Sequence, residues 1–128
     1  MPRVVQIAQH ADDLDRAAAF YEKLLGYPPA AKFDPPGLLF FVVGKTRLLL
    51  EQAASPATIY LKVDDVRTRI EELRAQGITI EGEPHVIFRH EDDRLGPAGN
   101  DEWMAFIKDS EDNVVGLVSY SPSTSSGE

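Results

Sequence analysis

The sequence contains no cysteine. Disulfides, thiolate nucleophiles and cysteine-ligated zinc are therefore excluded as sources of stability or chemistry. No apolar run approaches the ~20 residues that a membrane-spanning helix needs. The opening segment Met1-Pro2-Arg3-Val4-Val5 has no signal-peptide pattern and enters an expected strand directly, so a cytoplasmic protein is the expectation. Basic charge is scarce as well: 13 Lys and Arg stand against 21 Asp and Glu, a net charge of −8. That balance argues against a nucleic-acid partner, because phosphate recognition requires a basic surface. It leaves room for an anionic small ligand held by one or two arginines.

What is present is an ordinary globular balance, with 43% apolar and 27% charged residues in a chain of 128. That length suits one compact domain. Residues 4–8 are β-prone and run into Asp12-Asp13, either of which can cap a helix through its carboxylate. Leu14, Ala17, Ala18, Tyr21, Leu24 and Leu25 then recur at helical spacing, and Gly26 follows as a stop. A turn-rich stretch, residues 28–37, leads to two expected strands at 38–43 and 46–52, joined by a tight Gly44-Lys45 hairpin.

The order then starts again. Residues 58–63 predict a strand entering Asp64-Asp65, and a helix carries Val66, Ile70 and Leu73 on one face before Gly77. Further strands are expected at 78–80, 86–89, 103–108 and 114–119. Ala11-Asp12-Asp13-Leu14 lines up with Val63-Asp64-Asp65-Val66, 52 residues later. Aspartate caps are common, so one match says little. The shared element order, caps and terminal glycines together point to a duplicated unit. The expected fold is α+β: two βαβββ modules that form a U-shaped, cleft-lining sheet with the helices outside. One domain is expected over 1–120, with half-modules 1–54 and 55–120, and the small polar residues 121–128 as a disordered tail.

Two stretches carry a family resemblance. The first runs through Ile7-Ala8, Asp13-Leu14-Asp15-Arg16-Ala17, Phe20-Tyr21-Glu22 and Leu24-Leu25-Gly26; the second is Phe106-Ile107-Lys108-Asp109-Ser110-Glu111-Asp112-Asn113. In their order along one short chain they resemble the vicinal oxygen chelate superfamily, which groups glyoxalases, bleomycin resistance proteins and dioxygenases. Ser110 and Asp112 replace the usual proline and glycine of its closing hairpin, and Asp tolerates positive φ well enough for the turn to survive. The resemblance implies paired modules or a homodimer enclosing a ligand site. It also implies a divalent ion held by His, Gln or Glu on the first and last strand of each half. Transferred singly, those positions fall on Gln6, Glu51, Thr58 and Gly116. Gln6 and Glu51 are acceptable donors, a neutral hydroxyl is a poor one, and glycine has no side chain. The expectation is therefore no metal cofactor, with a divalent ion at Gln6 and Glu51 as the alternative. His10, His85 and His90 are the imidazoles available to supplement such a pair.

Strand alternation places Arg47, Leu49 and Glu51 on one face. Arg47 with Glu51 is either a pair that orients an anionic or carbonyl ligand, or a salt bridge that only satisfies two charges. Glu51 is also the candidate catalytic base; desolvation would raise its pKa, and a neighbouring Arg47 would lower it. Gln6, Arg47, Tyr60 and His85 are the candidate ligand-binding residues. Tyr60 offers its hydroxyl to the cleft or packs with the hydroxyl at the rim, and His85 is an acid–base imidazole or a surface one. Trp103 reads as a core or dimer contact. Residues 91–101 are acidic and glycine-rich without the spacing of a calcium loop, and read as a lid beside the cleft or a solvated loop.

The leading functional expectation is a small-molecule binding protein like the bleomycin resistance members. The alternative is a lyase or isomerase that enolises a carbonyl substrate with Glu51. A module that only dimerises is third. Ring-cleaving dioxygenase chemistry is disfavoured because it needs two histidines and a carboxylate at these positions.

Overall fold

The structure is a computed structural model, and it describes residues 3–123. Its elements follow the order β1 (Gln6–His10), α1 (Leu14–Leu25), β2 (Ala31–Phe33), β3 (Leu38–Val43), β4 (Thr46–Glu51), β5 (Ile59–Lys62), α2 (Val66–Ala75), β6 (Ile80–Arg89), β7 (Asn100–Lys108) and β8 (Val114–Pro122). The strands form two four-stranded sheets, β1-β4-β3-β2 and β5-β8-β7-β6. In each, the first strand runs parallel to the last and the other pairings are antiparallel. The fold is α+β, built from two βαβββ modules of identical topology, as the repeat predicts. Among the described residues no helix is long and apolar enough to cross a membrane.

Both helices form where the sequence places them, for the same reasons. Asp13 caps α1 by accepting the Arg16 N–H at 3.0 Å, and Asp65 caps α2 by accepting the Arg67 N–H at 2.9 Å. α1 buries Ala17, Tyr21 and Leu24; α2 buries Val66, Ile70 and Leu73. α1 stops at Gly26, whose φ of +90° suits glycine and lets its N–H bond the Glu22 carbonyl at 2.8 Å. Tyr21 meets Phe41 of β3 with ring centroids 6.1 Å apart, so Phe41, Leu39, Leu48 and Leu50 form the face covered by α1. In the second module, the Val66 N–H bonds Ser119 Oγ at 3.0 Å, which sets Ser119, Leu117, Val115, Ala105 and Ile107 on the face towards α2. Each large apolar side chain fully buried in these layers contributes about 1.5–3 kcal/mol.

Three details differ from the sequence expectation. The stretch 28–37 contains a short strand, β2, tolerated between prolines because it is an edge strand. Residues 80–89 make one long strand instead of two, since Pro84 sits in an edge strand where register shifts between Gly82 and His85 absorb its missing N–H. β8 continues to Pro122, and the Ser123 N–H bonds the Gly99 carbonyl at 2.9 Å, so residues 121–123 of the expected tail are hydrogen-bonded; 124–128 lie outside the described residues. Trp103 donates its indole N–H to Ser121 Oγ at 3.0 Å and carries the Arg67 guanidinium 4.5 Å from its ring.

The chain divides into two compact units: the part up to Thr58 together with Asp109–Asn113, and Ile59–Lys108 together with the chain from Val114 onward. The first unit runs past residue 54 because the buried Gln9 amide bonds Ala57 twice, donating to its carbonyl at 2.6 Å and accepting from its N–H at 2.9 Å.

Residues 109–113 are the centre of the first unit. Glu111, with a fully buried carboxylate, accepts from Arg16 Nε at 2.7 Å, Arg16 Nη2 at 3.0 Å and Ser110 Oγ at 2.9 Å. It also accepts the Asp12 and Asp13 N–H groups, each at 2.9 Å. Asp109 accepts from Tyr21 Oη at 2.6 Å, from the Glu111 and Asn113 N–H groups at 2.8 Å each, and from Asn113 Nδ2 at 2.9 Å. Burial beside the Asp109 carboxylate pushes the Tyr21 hydroxyl far above its usual range. Asp112 takes φ of +67°, the positive value expected where the family has glycine.

The Arg16 guanidinium, with the backbone donors, holds Glu111 at a pKa of about 2 against an ordinary 4.5. A depressed carboxylate contributes stability that is complete above pH 4.5 and lost as the pH falls towards 2. With Arg16 half exposed, the contribution is about 2–3 kcal/mol. Urea titrations from pH 7 to pH 2 should show this loss, and Glu111→Gln should start less stable and flatten the acid slope.

Candidate functional site

The parallel pairing of β1 with β4 sets the chemistry of the first module. Its register is Gln6 to Arg47, Ala8 to Leu49 and His10 to Glu51. All six lie on the face away from α1. Arg47 Nε donates to Gln6 Oε1 at 2.9 Å, and both residues are exposed. Glu51 stands four residues along the strand from Arg47, about 13 Å at ordinary strand rise. The same-face expectation is met, but the Arg47–Glu51 pair expected from alternation does not form. Gln6 is Arg47's partner, because the register sets them side by side.

Glu51 instead neighbours His10. The His10 ring has three acceptors: Nδ1 lies 3.0 Å from the Gln52 carbonyl and 3.1 Å from that of Ala54, and Nε2 lies 2.9 Å from Asp12 Oδ1. A neutral ring has one N–H, so only the imidazolium satisfies both sides. Desolvation lowers its pKa, but the Ala54 carbonyl and the Asp12 carboxylate outweigh that and hold it above 6.5.

In the second module, Tyr60 and His85 lie on opposite edge strands, β5 and β6. Three strand spacings separate those edges, about 14 Å. Tyr60 pairs with Gly116 and packs edge-on against Phe106, with centroids 6.1 Å apart. Its ring occupies the space above Gly116, where an added Cβ would come within 2.5 Å of Tyr60 Cδ2. Tyr60 also borders a shallow depression of about 330 Å³ with Lys62, Glu102, Met104, Val118 and Tyr120. His85 is exposed, and its Nδ1 lies 2.9 Å from the Glu83 carbonyl.

The model of the Glyoxalase/Bleomycin resistance protein/Dioxygenase superfamily matches residues 3–91. The chain belongs to this superfamily. Among similar solved structures, a lactoylglutathione lyase from Agrobacterium tumefaciens is 25% identical with a TM-score of 0.69, over 91% of this chain and 92% of that one. A superfamily member from Sphaerobacter thermophilus is 19% identical with a TM-score of 0.71, over 93% and 98%. TioX from Micromonospora sp. ML1 is 14% identical with a TM-score of 0.67, over 92% and 98%. The last two likenesses speak to fold alone. No curated protein matches the sequence.

The superfamily's divalent centre can be tested against each module's own donors. Gln6 and Glu51 stand four register positions apart, and Gln6 Oε1 is engaged by Arg47. Gly116 lies under the Tyr60 ring. Among the described residues no three His, Asp or Glu side chains gather where they could share an ion. Neither module's donors fit that centre.

In the sequence His90 stands only as an imidazole that could supplement Gln6 and Glu51 around an ion, and nothing there singles out Glu102. His90 is buried with Nε2 at 2.7 Å from Glu102 Oε1. The available signal was parity: Phe88 in β6 and His90 just past its end are two residues apart, and Glu102 shares a face with Met104.

Two outcomes follow from this geometry. Gly116→Ala should destabilise the protein by about 1–3 kcal/mol through overpacking, and most of that cost should vanish in a Tyr60→Ala background, read from a double-mutant cycle in urea. His10 contributes stability that is complete below pH 6.5 and declines as the pH rises through its raised pKa. Denaturation between pH 6 and 9 should show that decline, and His10→Gln should remove it.

Proposed function

We propose that this superfamily member binds a small molecule bearing a carboxylate or carbonyl oxygen, and that it does so without a divalent ion. One observation carries the reading. Arg47 spends only Nε on Gln6, and its terminal nitrogens make no hydrogen bond among the described residues. An exposed guanidinium, steadied at one nitrogen and free at the other two, matches a planar oxygen pair through two parallel N–H donors. The mismatch between the module donors and the superfamily's divalent centre supports the metal-free part. A cytoplasmic homodimer completes the proposal; Val4, Val5 and Ile7 are exposed along the β1 edge, and unpaired edges favour association.

A second reading keeps a place because the Glu51 carboxylate has no hydrogen-bond or ion-pair partner among the described residues. In that reading Glu51 is the base of a lyase or isomerase acting on a carbonyl substrate.

Thermal-shift titration with oxalate and 2-oxoglutarate tests the binding proposal. The expected result is a saturable rise in Tm that weakens at least about tenfold in Arg47→Ala, the scale of a lost charged hydrogen bond. The absence of any stabilisation would defeat it. Calorimetry with Zn²⁺, Mn²⁺ and Mg²⁺ should show no stoichiometric uptake, and uptake abolished by Glu51→Ala would overturn the metal-free part. Solvent deuterium exchange into 2-oxoglutarate that depends on Glu51 would favour the second reading.

A further inference from the structure

His90 follows β6 and is 2% exposed. Its ring has close neighbours on several sides. Phe88 meets it edge-on at 4.8 Å between centroids and Tyr120 at 5.7 Å. Gly96 lies so close that an added Cβ would come within 2.8 Å of both Cε1 and Nε2. The His90 backbone is tied to the far end of the loop, donating to the Asn100 carbonyl and accepting from the Gly99 N–H, each at 2.8 Å.

Nε2 lies 2.7 Å from the Glu102 carboxylate, which is itself 14% exposed. The Glu102 carboxylate oxygen is placed to accept from Nε2, and a ring with its single hydrogen there carries its lone pair on Nδ1. Nδ1 has no protein partner among the described residues. Since no fully sealed side-chain nitrogen or oxygen among them is left unsatisfied, Nδ1 is not closed off from solvent. His90 also lines a pocket of about 370 Å³ with Phe88, Glu91, Asp92, Arg94 and Leu95.

The lining selects the occupant. Phe88 and Leu95 are 51% and 82% exposed, large apolar surfaces turned to solvent beside a fixed acceptor. Arg94 is neutralised by Asp92, with Nε at 3.0 Å from Oδ2, which leaves Glu91 as uncompensated charge against any anion. A neutral, flat, apolar molecule with one O–H donor satisfies all three features.

We propose that His90, oriented by Glu102, is the hydrogen-bond acceptor of a second binding site in this protein, specific for neutral aromatic hydroxyl compounds. The site rests on residues of the second unit and does not depend on Arg47.

Phenol and anisole, its donor-less methyl ether, are the probes. In protein carrying ¹⁵N-labelled histidine, the expected spectrum places the His90 ring hydrogen on Nε2. Phenol should move the Nδ1 resonance to saturation, with anisole at least about tenfold weaker, because a site built around a hydroxyl rejects the analogue lacking it. Glu102→Gln should shrink this preference, His90→Phe should erase it, and Arg47→Ala should leave it unchanged. A ring hydrogen on Nδ1, or equal responses to phenol and anisole, would overturn the proposal. Both readouts use the wild-type protein, so they stand even where a variant fails to fold.

Discussion

Glu111 is a carboxylate taken out of water at the turn between β7 and β8, and the first module is organised around the donors that compensate it. Two come from the Arg16 guanidinium, two from the first N–H groups of the turn into α1, and one from Ser110. A helix of twelve residues is marginal on its own in water, so the anchoring of its N-terminus adds to the packing of Ala17, Tyr21 and Leu24 in holding it. Asp109, two residues earlier, binds Tyr21 from the same helix, and Asn113 donates to the His10 carbonyl at the end of β1. One five-residue turn thereby fixes where the first helix starts, how it is rotated and where the first strand stops. Such a network is costly if incomplete, and here both carboxylates are fully occupied.

The second module repeats the topology without that anchor. Its helix begins with Ser119 Oγ bonding the Val66 N–H and with the Asp65 cap, and α2 is held by apolar packing of Val66, Ile70 and Leu73. The two modules therefore share the pattern of caps, stripes and strand order while their polar interactions differ. The faces away from the helices differ further. The first carries Gln6, Arg47, His10 and Glu51, and the second carries Tyr60, Met104, Phe106 and the His90–Glu102 pair.

The legible part of this sequence was local. Asp13 and Asp65 as caps, the helical stripes, Gly26, Gly44 and the positive φ at Asp112 all depend on neighbours within a few positions, and all appear as read. The repeat gave the module count, and the motif order gave the superfamily. Register was not legible. Alternation shows that Arg47 and Glu51 share a face, but only the pairing of β1 with β4 shows that Gln6 meets Arg47 while His10 meets Glu51. A shift of two residues would keep every side chain on its face and give Gln6 and His10 different partners. Pro84 misled for a related reason: its meaning depends on whether the strand is an edge, which is a property of the sheet. The pairing of His90 with Glu102 was not legible because Glu102 lies on another strand and the ring contact, Gly96, offers no side chain to read.

These observations explain how the superfamily scaffold tolerates replacement of its ligand positions. The bonds that specify the first module lie in the 109–113 turn and at the helix start, and none involves the side chain of Gln6, Arg47 or Glu51. The face away from α1 can therefore change its chemistry without disturbing the network that orders the chain. Gly116 shows the same separation in the second module. Its backbone keeps the β7 and β8 pairings intact, while the space its missing side chain leaves is filled by Tyr60 from the neighbouring strand. A position that the superfamily resemblance assigns to a metal ligand has become a packing contact, and the cost of restoring a side chain there is steric as well as chemical. The residues that hold the fold are thus not Gln6, Arg47 or Glu51, which is why membership of the superfamily fixes the architecture and does not by itself fix a function.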